Sequence, residues 1–170
     1  MVAAIVGAMK VQVRLTGREM AGRAREVSHR FAKSAGCSEN AEDDLALVVS
    51  ELVTNAGRHA PGPCRMYLET VEEGVAVEVW DTNPMLPHFP SADGAVCECC
   101  VEDELQCSGY GLGIVARLAR ELYGFAGPEG GKTVRAVVAR SAVPDAIPDA
   151  PGGPTTVPWP RSATESAGMP

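Results

Sequence analysis

Two short apolar stretches separated by three residues constrain this chain more than any other feature. Residues 65–71 and 75–80 are rich in β-branched and aromatic side chains, and Glu72-Glu73-Gly74 stands between them. That pattern is a β-hairpin. A hairpin makes its sheet at least partly antiparallel. It therefore excludes the doubly wound nucleotide-binding architecture, in which strand and helix alternate throughout.

The flanking segments extend the reading. Residues 9–15 alternate, with Val11, Val13 and Leu15 on one face of a strand. Residues 20–35 have helical spacing, and Gly36 supplies the left-handed residue that ends such a helix. Ser38 or Asn40 caps a second helix, whose first turn is acidic and which runs to about His59 before Pro61-Gly62-Pro63. Its apolar positions Leu45, Val48, Val49, Leu52, Val53 and Ala56 form one broad stripe. Residues 112–123 read as a third helix opened by glycines, residues 124–127 as a short strand, and residues 133–139 as a last strand. The order predicts a two-layer α/β sandwich: a mixed, mostly antiparallel sheet with helices on one face.

Composition places that sandwich. At 170 residues the chain is one domain by size, and its 5% aromatic content requires an aliphatic core. No stretch approaches the ~18 apolar residues of a membrane span, and the apolar start, residues 1–9, lacks the basic region of a signal peptide. A cytoplasmic protein without membrane attachment is expected. The net charge of −7 is uneven. Residues 91–108 carry Asp93, Glu98, Glu102, Asp103 and Glu104 with no basic residue, and residues 141–170 account for the rest of the net charge. Basic residues do not dominate the body, so nucleic acid is not the expected partner. Seven of the thirteen prolines fall in residues 141–170, which predicts a disordered tail after a domain at 9–140. Trp159 is the one candidate docking anchor in that tail.

Three constellations can carry chemistry. Glu51, Asn55 and His59 recur at i, i+4 and i+8, so they share a helix face outside the apolar stripe. A carboxylate and a carboxamide one turn apart suit a hard cation such as Mg²⁺, and Glu51 can act as a base toward a hydroxyl. The same spacing also describes a solvated helix face. Gly109-Tyr110-Gly111-Leu112-Gly113 opens the third helix, where free N–H groups suit an anion, although a plain helix-entry turn reads alike. Asp81 follows the apolar run 75–80, where it can accept from an amino group in a pocket or simply begin the turn Asp81-Thr82-Asn83-Pro84.

Taken together, these motifs resemble the GHKL ATPase superfamily. The run from Glu51 to Ala60 (ELVTNAGRHA) resembles its N box, Asp81 its G1 box, and Gly109–Gly113 its G2 box. The closest likeness is to the small single-domain branch, the anti-sigma-factor serine/threonine kinases and related bacterial regulatory ATP-binding proteins, and it covers roughly residues 10–140. The resemblance implies ATP and Mg²⁺ as ligands. Asn55 would ligate Mg²⁺ and Glu51 would be the general base. Asp81 would bind the adenine amino group, and Thr133 would support the adenine end. Gly109, Gly111, Leu112 and Gly113 would lie against the phosphates, beneath a lid at residues 83–108. It implies phosphorylation or sequestration of a partner, a sigma factor or an anti-sigma-factor antagonist protein, and a homodimer. The chain departs from the pattern at Tyr110, where many relatives carry Arg, and the lid holds no Lys or Arg. Arg58 and Lys132 are the candidate substitutes.

The departure keeps two other functions open. One is a non-catalytic interaction module with nucleotide as a structural ligand. The other rests on Cys97, Cys99, Cys100 and Cys107, which fall within the lid and can serve as a Zn²⁺ site or redox switch on the same fold. Cys37 and Cys64 stand apart and read as packing residues.

Overall fold

In the computed structural model, residues 9–60, 62–89, 109–127 and 130–141 are described, with the side chains of Gly109 and Tyr110 left aside. The proposed lid beyond Phe89, its four cysteines, and the tail with Trp159 lie outside these residues. The elements are β1 (Lys10–Leu15), α1 (Met20–Ser34), α2 (Glu39–His59), β2 (Cys64–Val71), β3 (Gly74–Asp81), α3 (Gly109–Leu118), β4 (Ala119–Ala126) and β5 (Lys132–Val138). The strands form one sheet in the order β1-β2-β3-β5-β4. Every pairing is antiparallel, so the mixed sheet expected from sequence is corrected to a uniformly antiparallel one.

Strand alternation sorts the side chains into two faces. Leu15, Met66, Leu68, Val75, Val77, Val79, Val134, Ala136 and Val138 are buried against the helices. The α2 stripe of Leu45, Val48, Val49, Leu52, Val53 and Ala56 covers them, and α1 and α3 pack against α2 on either side. Ser38 caps α2 by accepting from the Ala41 N–H at 3.3 Å. Gly57, an unfavourable residue inside a helix, lies where the end of the Met20 side chain from α1 crosses α2.

The other face is held by directly opposed cross-strand partners. Lys10 meets Glu69 at 2.8 Å, Gln12 donates to the Tyr67 hydroxyl at 3.2 Å, and Arg135 pairs with Glu78. The Arg65 guanidinium lies 4.0 Å from the centroid of the Trp80 ring. Each couple is also a register pair, so these contacts reinforce one alignment of the strands.

One boundary differs from expectation. The third helix stops at Leu118, and residues 119–126 form the edge strand β4 rather than a helix to residue 123 with a short strand after it. Ala119, Arg120, Glu121 and Leu122 are good helix formers, yet pairing with β5 overrides that preference. A register irregularity between Ala119 and Glu121 marks the sharp change from helix to strand. Among the described residues no helix is long and apolar enough to cross a membrane.

Removing a fully buried α2 side chain should test this packing. Leu45→Ala is expected to lower unfolding stability by about 2–5 kcal/mol, and Ser38→Ala by about 1 kcal/mol, as read from urea denaturation.

Candidate nucleotide site

The site forms at the end of the sheet where β3 finishes, β5 begins and the C-terminal half of α2 lies above. Asp81 closes β3 on the helix-facing side and is buried. Opposite it in register stands Lys132, the first residue of β5. Their side chains form an ion pair at 2.9 Å, each only 3% exposed. The same Asp81 oxygen, Oδ1, accepts from the Asn83 N–H at 2.9 Å. Lys132 Nζ also donates to the Asn83 carbonyl at 3.3 Å. Asn83 in turn donates through Nδ2 to the His59 carbonyl at 2.9 Å, tying the chain after β3 to the last turn of α2. Two residues on, Met85 donates its N–H to Asn83 Oδ1.

Backbone geometry beneath this pair is tight. Gly130 and Gly131 have φ of +80° and +73°, and a Cβ on Gly131 would run into the Asp81 carbonyl. Only glycine fits there. The segment leaving Asp81 then passes over β4, where Leu86 and Phe89 contact the position that a Gly124 Cβ would take.

At the other end of the site, α3 brings its first turn against α2. Glu51 is half-buried, and its Oε2 occupies the space that a Cβ on Gly111 would fill. The glycine therefore permits the carboxylate and the start of α3 to meet. Asn55 follows Glu51 by one turn and His59 by two. At 1.5 Å per residue, Glu51 and the Asn83-bound end of α2 are separated by ~12 Å along the helix. The site is therefore elongated, with Asp81 and Lys132 at one end and Glu51 and Gly111 at the other.

The remaining sequence candidates divide. Gly109 and Gly113 lie in α3 with Gly111. Leu112 buries its side chain in the core, which leaves its backbone as the part available to a ligand at the helix start. Thr133 is corrected. It pairs with Trp80, one step along from the Asp81–Lys132 pair, so its side chain leaves the opposite face of the sheet. The residue on the site face is Lys132. The His59 side chain is exposed, and its main chain is what engages the site. Arg58 is exposed on the last turn of α2. Lys132 is committed to Asp81, at the end of the site away from Glu51. Among the described residues no group of three or more His, Cys, Asp or Glu side chains converges as a metal cluster. The four lid cysteines fall outside that search.

A family model for the histidine kinase-like ATPase domain matches residues 16–138. The chain belongs to this family. No curated protein matches it. Membership implies ATP binding and a regulatory role, and it accounts for the arrangement above. The ATPase-family fit rests on an acceptor buried at one end of the site and a glycine-opened helix start at the other.

Cys64, at the start of β2, neighbours this site and is buried. Burial pushes its thiol up to about 11 from an ordinary 9.0, and the negative charge of Asp81 adds to the effect. Cys37 is raised as well, chiefly by burial. Both free thiols are therefore poor nucleophiles. Native protein at about pH 8 should leave Cys64 unlabelled by iodoacetamide, with labelling only after denaturation, as mapped by mass spectrometry. The fold keeps the Cys64 proton that the unfolded chain releases above pH 9.0. Its contribution to stability is thus present below that value and is lost as pH rises towards about 11. Cys64→Ala should show a shallower fall in stability over that window.

Proposed function

We propose that this domain is an ATP- and Mg²⁺-binding regulator of the anti-sigma-factor serine/threonine kinase type, acting on a partner protein in the cytoplasm. The observation that supports it best is the contact between Glu51 and Gly111 at one end of an elongated site whose other end holds a buried carboxylate. In this reading the base lies against Asp81 and the phosphates lie at the start of α3. Asn55, between them on α2, would hold Mg²⁺ through its carboxamide oxygen. Held there, Mg²⁺ would neutralise phosphate charge.

The charge arrangement is compatible with a metal at this position. Lys132 already faces Asp81, and the positive feature that meets Glu51 is the start of α3, with its dipole and backbone N–H groups. Glu51 is suited to take the proton of an incoming serine hydroxyl as its oxygen bonds to the γ-phosphorus and the bond to ADP breaks. Its proximity to the first turn of α3 supports reading Glu51 as that base. The partner in this proposal is a sigma factor or an anti-sigma-factor antagonist, and the domain would work as a homodimer.

Isothermal titration and a phosphorylation assay with candidate antagonists test the proposal. Wild type should bind ATP with Mg²⁺, and Asn55→Ala should lose that binding by at least about 10-fold. Glu51→Ala should retain binding and lose transfer by about 100-fold or more. Transfer by Glu51→Ala at the wild-type rate would refute the catalytic role and leave the non-catalytic interaction module as the reading.

Gly111→Ala separates position from stability. The added methyl must displace the Glu51 carboxylate, a flexible side-chain end, so folding should survive. Helix propensity itself favours alanine by ~1 kcal/mol. Expected is an unchanged or raised unfolding midpoint with transfer reduced about 10-fold or more, since displacing a catalytic base forfeits its contribution.

A further inference from the structure

We propose that Lys132 reads the nucleobase directly, its ammonium donating to N1 of adenine while the Asp81 carboxylate accepts from the neighbouring exocyclic amine. This rests on the nucleotide reading above and names the base-recognition half of that site.

Three observations carry it. Strand register puts Lys132, and not Thr133, on the same face and at the same level as Asp81. The two side chains are almost wholly buried, so the ammonium cannot rely on bulk water for its hydrogen bonds. Its geometry is also half specified. An ammonium has three N–H donors, and two of them are directed at Asp81 Oδ1 and the Asn83 carbonyl. Among the described residues the third meets no protein acceptor, and it is the donor assigned to the ligand.

Asp81 and Lys132 thus present an acceptor and a donor side by side, 2.9 Å apart. The edge of adenine presents the complementary sequence, a donor at the amine next to an acceptor at N1. The two halves match without either buried charge leaving its partner. Asn83 contributes by fixing both: its N–H holds the carboxylate and its carbonyl holds the ammonium. A surface-exposed lysine would sample many rotamers, but one buried at both ends of its hydrogen-bond set is pre-organised.

Titration of the full-length chain with ADP and with 1-deaza-ADP, which lacks the N1 acceptor, tests this in the presence of Mg²⁺. Wild type should bind 1-deaza-ADP about 10- to 100-fold more weakly than ADP, the range for losing one hydrogen bond to a charged donor. Lys132→Met should bind both equally. The Asp81→Asn/Lys132→Met double variant removes both charges together, so it does not strand a buried carboxylate, and it should likewise bind both equally. Wild type binding both ligands alike would overturn the proposal, as would a folded Lys132→Met or double variant that still prefers ADP. Absence of any ADP binding by wild type would instead overturn the nucleotide reading and this inference with it.

Discussion

Helix α2 has to bury one side to exist in water, and nearly everything else in the domain is arranged around that burial. Its apolar stripe lies on the helix-facing side of the sheet, with α1 and α3 flanking it. Burying a side chain such as Leu45 or Leu52 contributes roughly 1.5–3 kcal/mol. The packing also fixes the rotation of the helix. Glu51, Asn55 and His59 lie off the stripe, so the orientation that fills the core turns this second face toward α3 and the chain following β3. Core and site are two faces of one helix, and neither can be rotated without the other.

The buried ion pair is the second constraint. Taking two charges out of water is expensive unless geometry and further hydrogen bonds are good. Here Asp81 and Lys132 are directly opposed on paired strands, and Asn83 bonds to both. Their alignment depends on the glycine turn before β5, because any Cβ at Gly131 would push the Asp81 backbone away. The Asp81–Lys132 end of the site is therefore assembled by strand register, while the Glu51–Gly111 end is assembled by helix packing. Asn83 joins the two, since its side chain reaches the last turn of α2.

Much of this was legible in sequence because periodicity is a strong signal. The hairpin, both long helices and the Ser38 cap appear where alternation and helical spacing put them. Glu51 and Gly111 were named from different motifs, and the fold brings them into contact. Two failures have physical causes. Residues 119–122 favour a helix locally, and only their pairing with β5, distant information for a local pattern, makes them a strand. Thr133 and Lys132 are adjacent, and in a strand one step changes the face. The motif located the strand but left its phase open. The phase becomes readable only once Asp81 and Lys132 are known to be opposed, and the signal available beforehand was the alternation that puts Lys132 on the same face as Val134, Ala136 and Val138.

That phase has consequences for how charge is distributed along the site. A lysine next to the phosphates would attract them but would leave Asp81 buried without a counter-ion. Placed opposite Asp81, Lys132 neutralises it and lies at the end of the site away from Glu51. In the proposed reading, the positive field at the other end would come from the first turn of α3 and from a cation held by Asn55. The absence of any Lys or Arg from Met66 to Ala116 agrees with that division. A site built this way would hold its base by fixed, paired charges and its phosphates by a dissociable ion, so affinity at one end would be intrinsic to the fold and at the other would depend on the metal.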